Sequence, residues 1–260
     1  MTLIQQLQTT NDVETVSLFS GAGGLDIGAI HAGAKIIWAN DMKKEACASY
    51  AHNIGEHIHQ GDINTFIPSL SEYEGIDMVI GGPPCQGFSV AGKMDADDER
   101  SKLVWSYADV IETVRPRAFI MENVKALTVL DKWAEVRNKL IERFQSLGYA
   151  VNFCVVNACD YNVPQSRERV FFIGFKGNSF ATPDLEAMTE DVPSYLRRLT
   201  VDEARVIQTF PLDYEFQGCQ SAQYTQIGNA VPCNLAEAVC RMVIDVIKGK
   251  SPIVYSGLFQ

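Results

Sequence analysis

The chain reads as an α/β fold: a doubly wound, mostly parallel sheet with helices on both faces. Three observations predict it. Short apolar runs of strand length alternate with longer helical patterns, and parallel neighbours joined by helices must place those helices on the sheet faces. The first run is followed by a glycine turn that opens a helix, and a later run ends on a loop bearing a cysteine, where open α/β sheets bind ligands. Finally, 260 residues with 47% hydrophobic and 21% charged content suit one such domain, or one plus a small appendage.

In chain order, residues 16–19 predict the first strand, and Ser20-Gly21-Ala22-Gly23-Gly24 a turn into a helix starting near Leu25. Residues 35–39 predict a second strand that ends at Asn40-Asp41, and 43–52 a helix. A short third strand leads into Gly61-Asp62-Ile63. The run at 76–80 has the apolar density of a buried parallel strand, and it leads into Gly81-Gly82-Pro83-Pro84-Cys85-Gln86-Gly87-Phe88-Ser89. A polar run at 93–100 and a helix over 102–114 follow. The strand at 118–121 delivers Glu122-Asn123. Residues 131–147 predict a long helix, with Asp131 as N-cap and Gly148 as its stop. Residues 151–156 and 170–175 read as two further strands, antiparallel partners at an edge. A closing helix over 234–248 spaces Leu235, Val239, Met242 and Val246 by three and four, a stripe expected to pack on the sheet. There is no internal repeat and no low-complexity tract.

Composition excludes several classes. No apolar run is long enough to cross a bilayer, and residues 1–14 are polar without a signal core, so export is not expected. Seven cysteines with no CxxC pair argue against a disulfide framework or a thiolate metal site, and point to a reducing cytoplasm. The net charge of −10 lacks the cationic footprint of a nucleic-acid binder.

The candidate chemistry sits at strand ends. Two glycines and two prolines cannot continue a strand or a helix interior, so the 81–89 loop turns sharply and can hold the Cys85 thiol outward. That context argues against the default of an inert core thiol. The glycine turn alone is compatible with a phosphate, an adenosyl group or a merely tight connection. Asp41, about 20 residues beyond the turn, is placed to accept ribose hydroxyls, and Asp62 to accept an adenine amino group. Both are equally readable as loop or cap aspartates. No Gly-Lys-Ser/Thr triplet follows the turn, which disfavours a nucleoside triphosphate.

Taken in order, Phe19-Ser-Gly-Ala-Gly-Gly24, Pro83-Pro-Cys-Gln86, Glu122-Asn-Val124, Gln165-x-Arg-x-Arg169, Arg198-Leu-Thr-x-x-Glu-Ala-Arg205 with Phe210-Pro211, and Gly228-Asn229 resemble the DNA (cytosine-5) methyltransferase family. These motifs span nearly the whole chain. The resemblance implies a Rossmann-like, S-adenosylmethionine-dependent methyltransferase in a restriction-modification setting, with double-stranded DNA as substrate and no metal. It implies that Cys85 adds to carbon 6 of a cytosine flipped out of the duplex, that Glu122 contacts N3 and the exocyclic amine, and that Arg169 holds O2. Asn123 would brace the Cys85 loop and Arg167 support the same site. Phe19, Gly21, Gly23 and Leu25 would line the amino-acid and adenosyl portions of S-adenosyl-L-methionine. Asp41 would take its ribose, Asp62 and Ile63 its adenine, and Pro83, Asn229, Ala230 and Val231 would complete that pocket. Met42 stands where the family often carries an aromatic to cover the adenine. Gln86, Ser89, Lys93 and Gln165 are the expected DNA contacts.

One departure is large. The family inserts a target-recognition domain of many tens of residues after the last strand, whereas this chain offers about 20, with one lysine and several acids between 176 and 195. The implied organisation is a catalytic domain at 1–175, a vestigial or truncated recognition region at 176–196 and a returning segment at 197–260. Recognition supplied by a second polypeptide, a longer insert absent from this chain, and a catalytically reduced member are three accounts of the gap. Two further alternatives are the RNA-methylating branch, whose Cys-Phe-Thr triplet is not found here, and a noncatalytic cofactor-binding subunit.

Overall fold

A computed structural model describes residues 2–84, 102–177 and 199–250, and its first element is one that the apolar pattern did not reveal. Helix α1, Leu3–Thr10, is nucleated by a capping box in which Thr2 and Gln5 satisfy each other's backbone N–H. It buries little beyond Ile4, so its apolar stripe is too thin to read. Strand β1, Val13–Leu18, then runs into the glycine turn and α2, Gly24–Ala32. After it come β2, Ala34–Asp41; α3, Lys44–Asn53; and β3, Ile58–Gln60. A short α4, Ile63–Phe66, and a 3-10 turn lead to β4, Met78–Gly81.

The second half holds α5, Lys102–Val114; β5, Ala118–Val124; and a short α6, Ala126–Val129. Helix α7 is Ala134–Ser146. It starts three residues later than the sequence predicts, because Asp131–Trp133 form a 3-10 turn and Trp133, not Asp131, is the N-cap. Gly148 does stop it, with φ +89 and its N–H on the Gln145 carbonyl at 2.9 Å. The chain continues as β6, Tyr149–Asn157, and β7, Glu168–Lys176. It ends in α8, Val201–Ile207; α9, Gln220–Asn229; and α10, Cys233–Ile247.

The strands form one sheet in the order β3-β2-β1-β4-β5-β7-β6. The first five pair in parallel, while β7 lies antiparallel between β5 and β6. The expected antiparallel pair therefore exists, with β6 at the edge and β7 one position inside it. Chain direction along the sheet reverses between β1 and β4, which leaves a crevice at their carboxyl ends.

Side chains alternate strictly across the sheet. Met78, Ile80, Ala118, Ile120, Phe171 and Ile173 enter the core under α2 and α10. Val79, Phe119, Met121, Val170 and Phe172 enter the opposite core, under α5 and α7. The stripe of α10 is wider than four residues: Ala236, Cys240, Val243 and Ile244 are buried along with Leu235, Val239 and Val246, while Met242 is only half-buried. The helix packs on α2 as well as on the sheet. A methyl group on Gly28 would lie 2.4 Å from the Ala236 Cβ and 2.5 Å from the Cys233 carbonyl, so the two helices meet at a distance that only glycine permits.

Candidate active site

A cavity of about 610 Å³ opens at the carboxyl ends of β1, β2, β4 and β5, a volume within the usual range for small-molecule sites. Its first wall is the turn after β1. Phe19, Gly21 and Gly23 all hold left-handed backbone, at φ +55, +54 and +80. A Cβ on Gly21 would meet nothing within 4 Å, whereas one on Gly23 would fall 2.2 Å from Ile54 Cδ1 and one on Gly24 2.4 Å from the Val231 carbonyl. The glycines thus answer to different demands. At 21 the demand is the backbone angle, and at 24 it is the return of the C-terminal segment.

Asp41 clamps this turn to the end of β2. Its Oδ2 accepts the Gly21 N–H at 2.8 Å and its Oδ1 the Lys43 N–H at 2.8 Å. Burial raises its pKa, and the N–H groups of Lys43 and Gly21 oppose that rise. Asp62 has a capping role: Oδ1 accepts the Asn64 N–H at 3.0 Å and the Asn64 side-chain amide at 2.9 Å at the start of α4. Ile63 beside it is buried. Met42 is 60% exposed at the rim.

The far wall comes from the C-terminal segment. Gln208 Nε2 donates to the Ile227 carbonyl at 2.7 Å and the Ala230 carbonyl at 3.1 Å, which sets Asn229-Ala230-Val231 against the turn. The Tyr214 hydroxyl donates to the Ala22 carbonyl from below. Phe19, Gly21, Leu25, Asp41, Met42, Asp62, Ile63 and Pro83 line the cavity together with Asn229, Ala230 and Val231. Gly23 does not line it; it backs against Ile54 and Tyr50 instead.

The other end of the same cavity is ionic. The pairing of β5 with β7 sets Val124 opposite Arg169, and Arg169 Nε meets Glu122 Oε1 at 2.8 Å with both side chains mostly buried. Burial raises the Glu122 pKa, against the attraction of Arg169 and Arg167. Burial and the neighbouring Arg169 lower that of Arg167 to about 10, which leaves it cationic at neutral pH. Asn123 Nδ2 donates to the Pro83 carbonyl at 3.3 Å, and its Oδ1 accepts the Val124 N–H at 2.8 Å. A Cβ on Gly82 would lie 2.8 Å from Glu122 Oε2, so the carboxylate rests on bare backbone. Among the described residues, Arg167 Nε and Gln165 Oε1 are buried without a partner, a donor and an acceptor left over where most such groups are paired. Gln165 itself is set back from the cavity wall.

Cys85, Gln86, Ser89 and Lys93 lie outside the described residues, as do positions 178–198. Conversely, Asn40, Leu103, Lys43 and Glu45 line the cavity without having been expected to, as do Ser221 and Thr225. The last two lie one helical turn apart on α9, immediately ahead of Gly228-Asn229. That spacing is the signal that could have revealed them.

Comparison with known proteins follows the same outline. The family model for C-5 cytosine-specific DNA methylase matches residues 13–191 and 181–245. The type II methyltransferase M1.HphI of Haemophilus parahaemolyticus is 30% identical over 320 residues, covering 88% of this chain and 86% of its own length. M.MthTI of Methanothermobacter thermautotrophicus is 29% identical over 329 residues, covering 92% and 99%. Among solved structures, the Entamoeba histolytica methyltransferase EhMeth superposes with a TM-score of 0.74 at 16% identity, over 91% of this chain and 99% of that one. Since 88% of 260 residues is about 229, roughly 90 of the 320 aligned positions in the first relative have no counterpart here. The two stretches matched by the family model meet at 181–191, inside the segment where the sequence is short.

Proposed function

The chain belongs to the C-5 cytosine-specific DNA methylase family, and on that premise we propose that it transfers a methyl group from S-adenosylmethionine to carbon 5 of a cytosine flipped out of duplex DNA, through a covalent bond from Cys85 to carbon 6. The observation that carries this reading is the Glu122–Arg169 pair, 2.8 Å apart, seated against the Gly82-Pro83 backbone that leads straight into Cys85.

The residues present fit the donor. The left-handed turn at Phe19 and Gly21, the open space over Gly21 and the spare lone pairs of Asp41 suit its amino-acid and ribose portions. Asp62, Ile63 and Met42 suit its adenine, with the Met42 thioether in place of an aromatic face. When bound, the cofactor supplies an activated methyl group. The protein's own work is on the base. Carbon 5 of cytosine is a weak nucleophile, and thiolate addition at carbon 6 turns the ring into an enamine-like carbanion equivalent. Arg169 stabilises the negative charge that this addition pushes toward O2. Glu122 contacts N3 and the exocyclic amine, and burial raises its pKa in the direction that favours giving a proton to N3 as charge develops on the ring. Asn123 keeps the Pro83 carbonyl, and with it the start of the Cys85 loop, in register with Glu122. After methylation water takes the carbon-5 proton, and the electron pair of that C–H bond expels the thiolate from carbon 6. The resemblance places base recognition in the stretch that is short here, between residues 176 and 196, and we assign that recognition to a second polypeptide.

The test is a duplex in which 5-fluorocytosine replaces cytosine, incubated with the protein and S-adenosylmethionine. Fluorine cannot leave as a cation, so a denaturation-resistant adduct should form and map to Cys85, and Cys85→Ser should form none. Absence of an adduct in a preparation that binds the cofactor would overturn the catalytic reading.

A further inference from the structure

We infer that Asn40 is a positioning residue for the cofactor, its single side chain and carbonyl setting the distance between the glycine turn and the Gly61-Asp62-Ile63 turn. This rests on the cofactor reading above. Asn40 is 1% exposed and forms part of the cavity wall. Its Nδ2 donates to the His59 carbonyl at 2.9 Å and to the Gly61 carbonyl at 3.0 Å, while its own carbonyl accepts the Ser20 N–H at 2.9 Å. One residue therefore touches both turns that would grip the adenosyl group.

The need for it follows from the shortness of β3. The β2–β3 ladder stops at the Asp41–Gln60 pair, and Gly61 leaves it at φ +152. Beyond that point the Gly61 carbonyl has no strand partner. The Asn40 amide extends the ladder by one bond, with both of its N–H groups engaged. Its two partners are acceptors only, so position 40 requires a double donor of this length. A carboxylate of the same shape would set an acceptor against two acceptors.

Calorimetry with S-adenosylhomocysteine and its inosine analogue tests this. Asn40→Ala removes both donors and Asn40→Asp reverses them; each should weaken S-adenosylhomocysteine by about tenfold and shrink the preference for adenine over hypoxanthine. The control is Asn11→Ala at the opposite end of the sheet, which also loses two bonds to carbonyls, those of Ile30 and Ala34 at 2.8 Å. It should lower the thermal midpoint comparably and leave the affinity within about twofold. Unchanged affinity in both Asn40 variants, or equal weakening by Asn11→Ala, overturns the inference and leaves the cofactor reading standing. If Asn40→Asp fails to fold, Asn40→Ala decides. A wild-type protein that binds neither ligand overturns both.

Discussion

Asp26, in the first turn of α2, is a carboxylic acid with no solvent exposure. The Tyr50 hydroxyl donates to its Oδ1 at 2.9 Å and lies 3.3 Å from His57 Nε2, so a polar string runs beneath the glycine turn. Burial raises the pKa of Asp26 from 3.8 to about 6, and the hydrogen bond from Tyr50 opposes the rise. The sign of its effect on stability is set by the folded state holding this proton more tightly than the unfolded chain. Its stabilising contribution is complete below about pH 4, is lost as pH rises through about 6, and stays lost above. Asp26→Asn keeps an acceptor for Tyr50 and removes the titration. It should therefore exceed wild type by on the order of 2 kcal/mol at pH 7.5, with the gap closing by pH 4, as read by urea unfolding. Equal stability at both pH values would refute this. The aspartate is visible in the sequence, but its burial is not, since a Leu-Asp-Ile triplet reads the same on a wet or a dry helix.

At the scale of elements, the contact of α2 with α10 makes the sharpest prediction. Alanine is a better helix former than glycine by roughly 1 kcal/mol, so intrinsic propensity favours Gly28→Ala. Packing opposes it, because the added methyl would overlap Ala236 and the Cys233 carbonyl. Neither helix can withdraw without opening the core between them, so the substitution should destabilise the protein by about 2 kcal/mol, read as a lower urea midpoint with an unchanged slope. Stabilisation would show that the helices can part. The same contrast explains which elements were legible. Helix α5 is legible in the sequence to its ends and the central strands to within a few residues, because each carries a dense apolar set. Helix α8 buries no residue and α9 only Gln226 and Ile227, so neither leaves an apolar period. The trace of α8 is local, the Thr200–Glu203 capping box.

At the scale of the molecule, charge decides what the chain can do alone. The net charge is −10, and Arg169 at the ionic end is paired with Glu122 rather than offered to phosphates. The isolated chain should bind duplex DNA weakly and without sequence preference. Its salt slope should be shallow, equivalent to about three phosphate contacts or fewer between 50 and 200 mM salt. Tight, sequence-specific binding by the chain alone, measured by anisotropy, would overturn the assignment of recognition to a second polypeptide. The sequence by itself determined the sheet and the order of its strand-end motifs, Cys85, Glu122 and Arg169 among them, because each lies at a fixed distance from a local apolar run. Only the tertiary structure decided that β7 inserts antiparallel beside β5 to bring Arg169 onto Glu122, that Tyr214 and Gln208 hold turns far away in sequence, and that Asn40 ties two loops together. Those contacts join residues with no periodic relation, and their energy exists only once the chain has closed on itself.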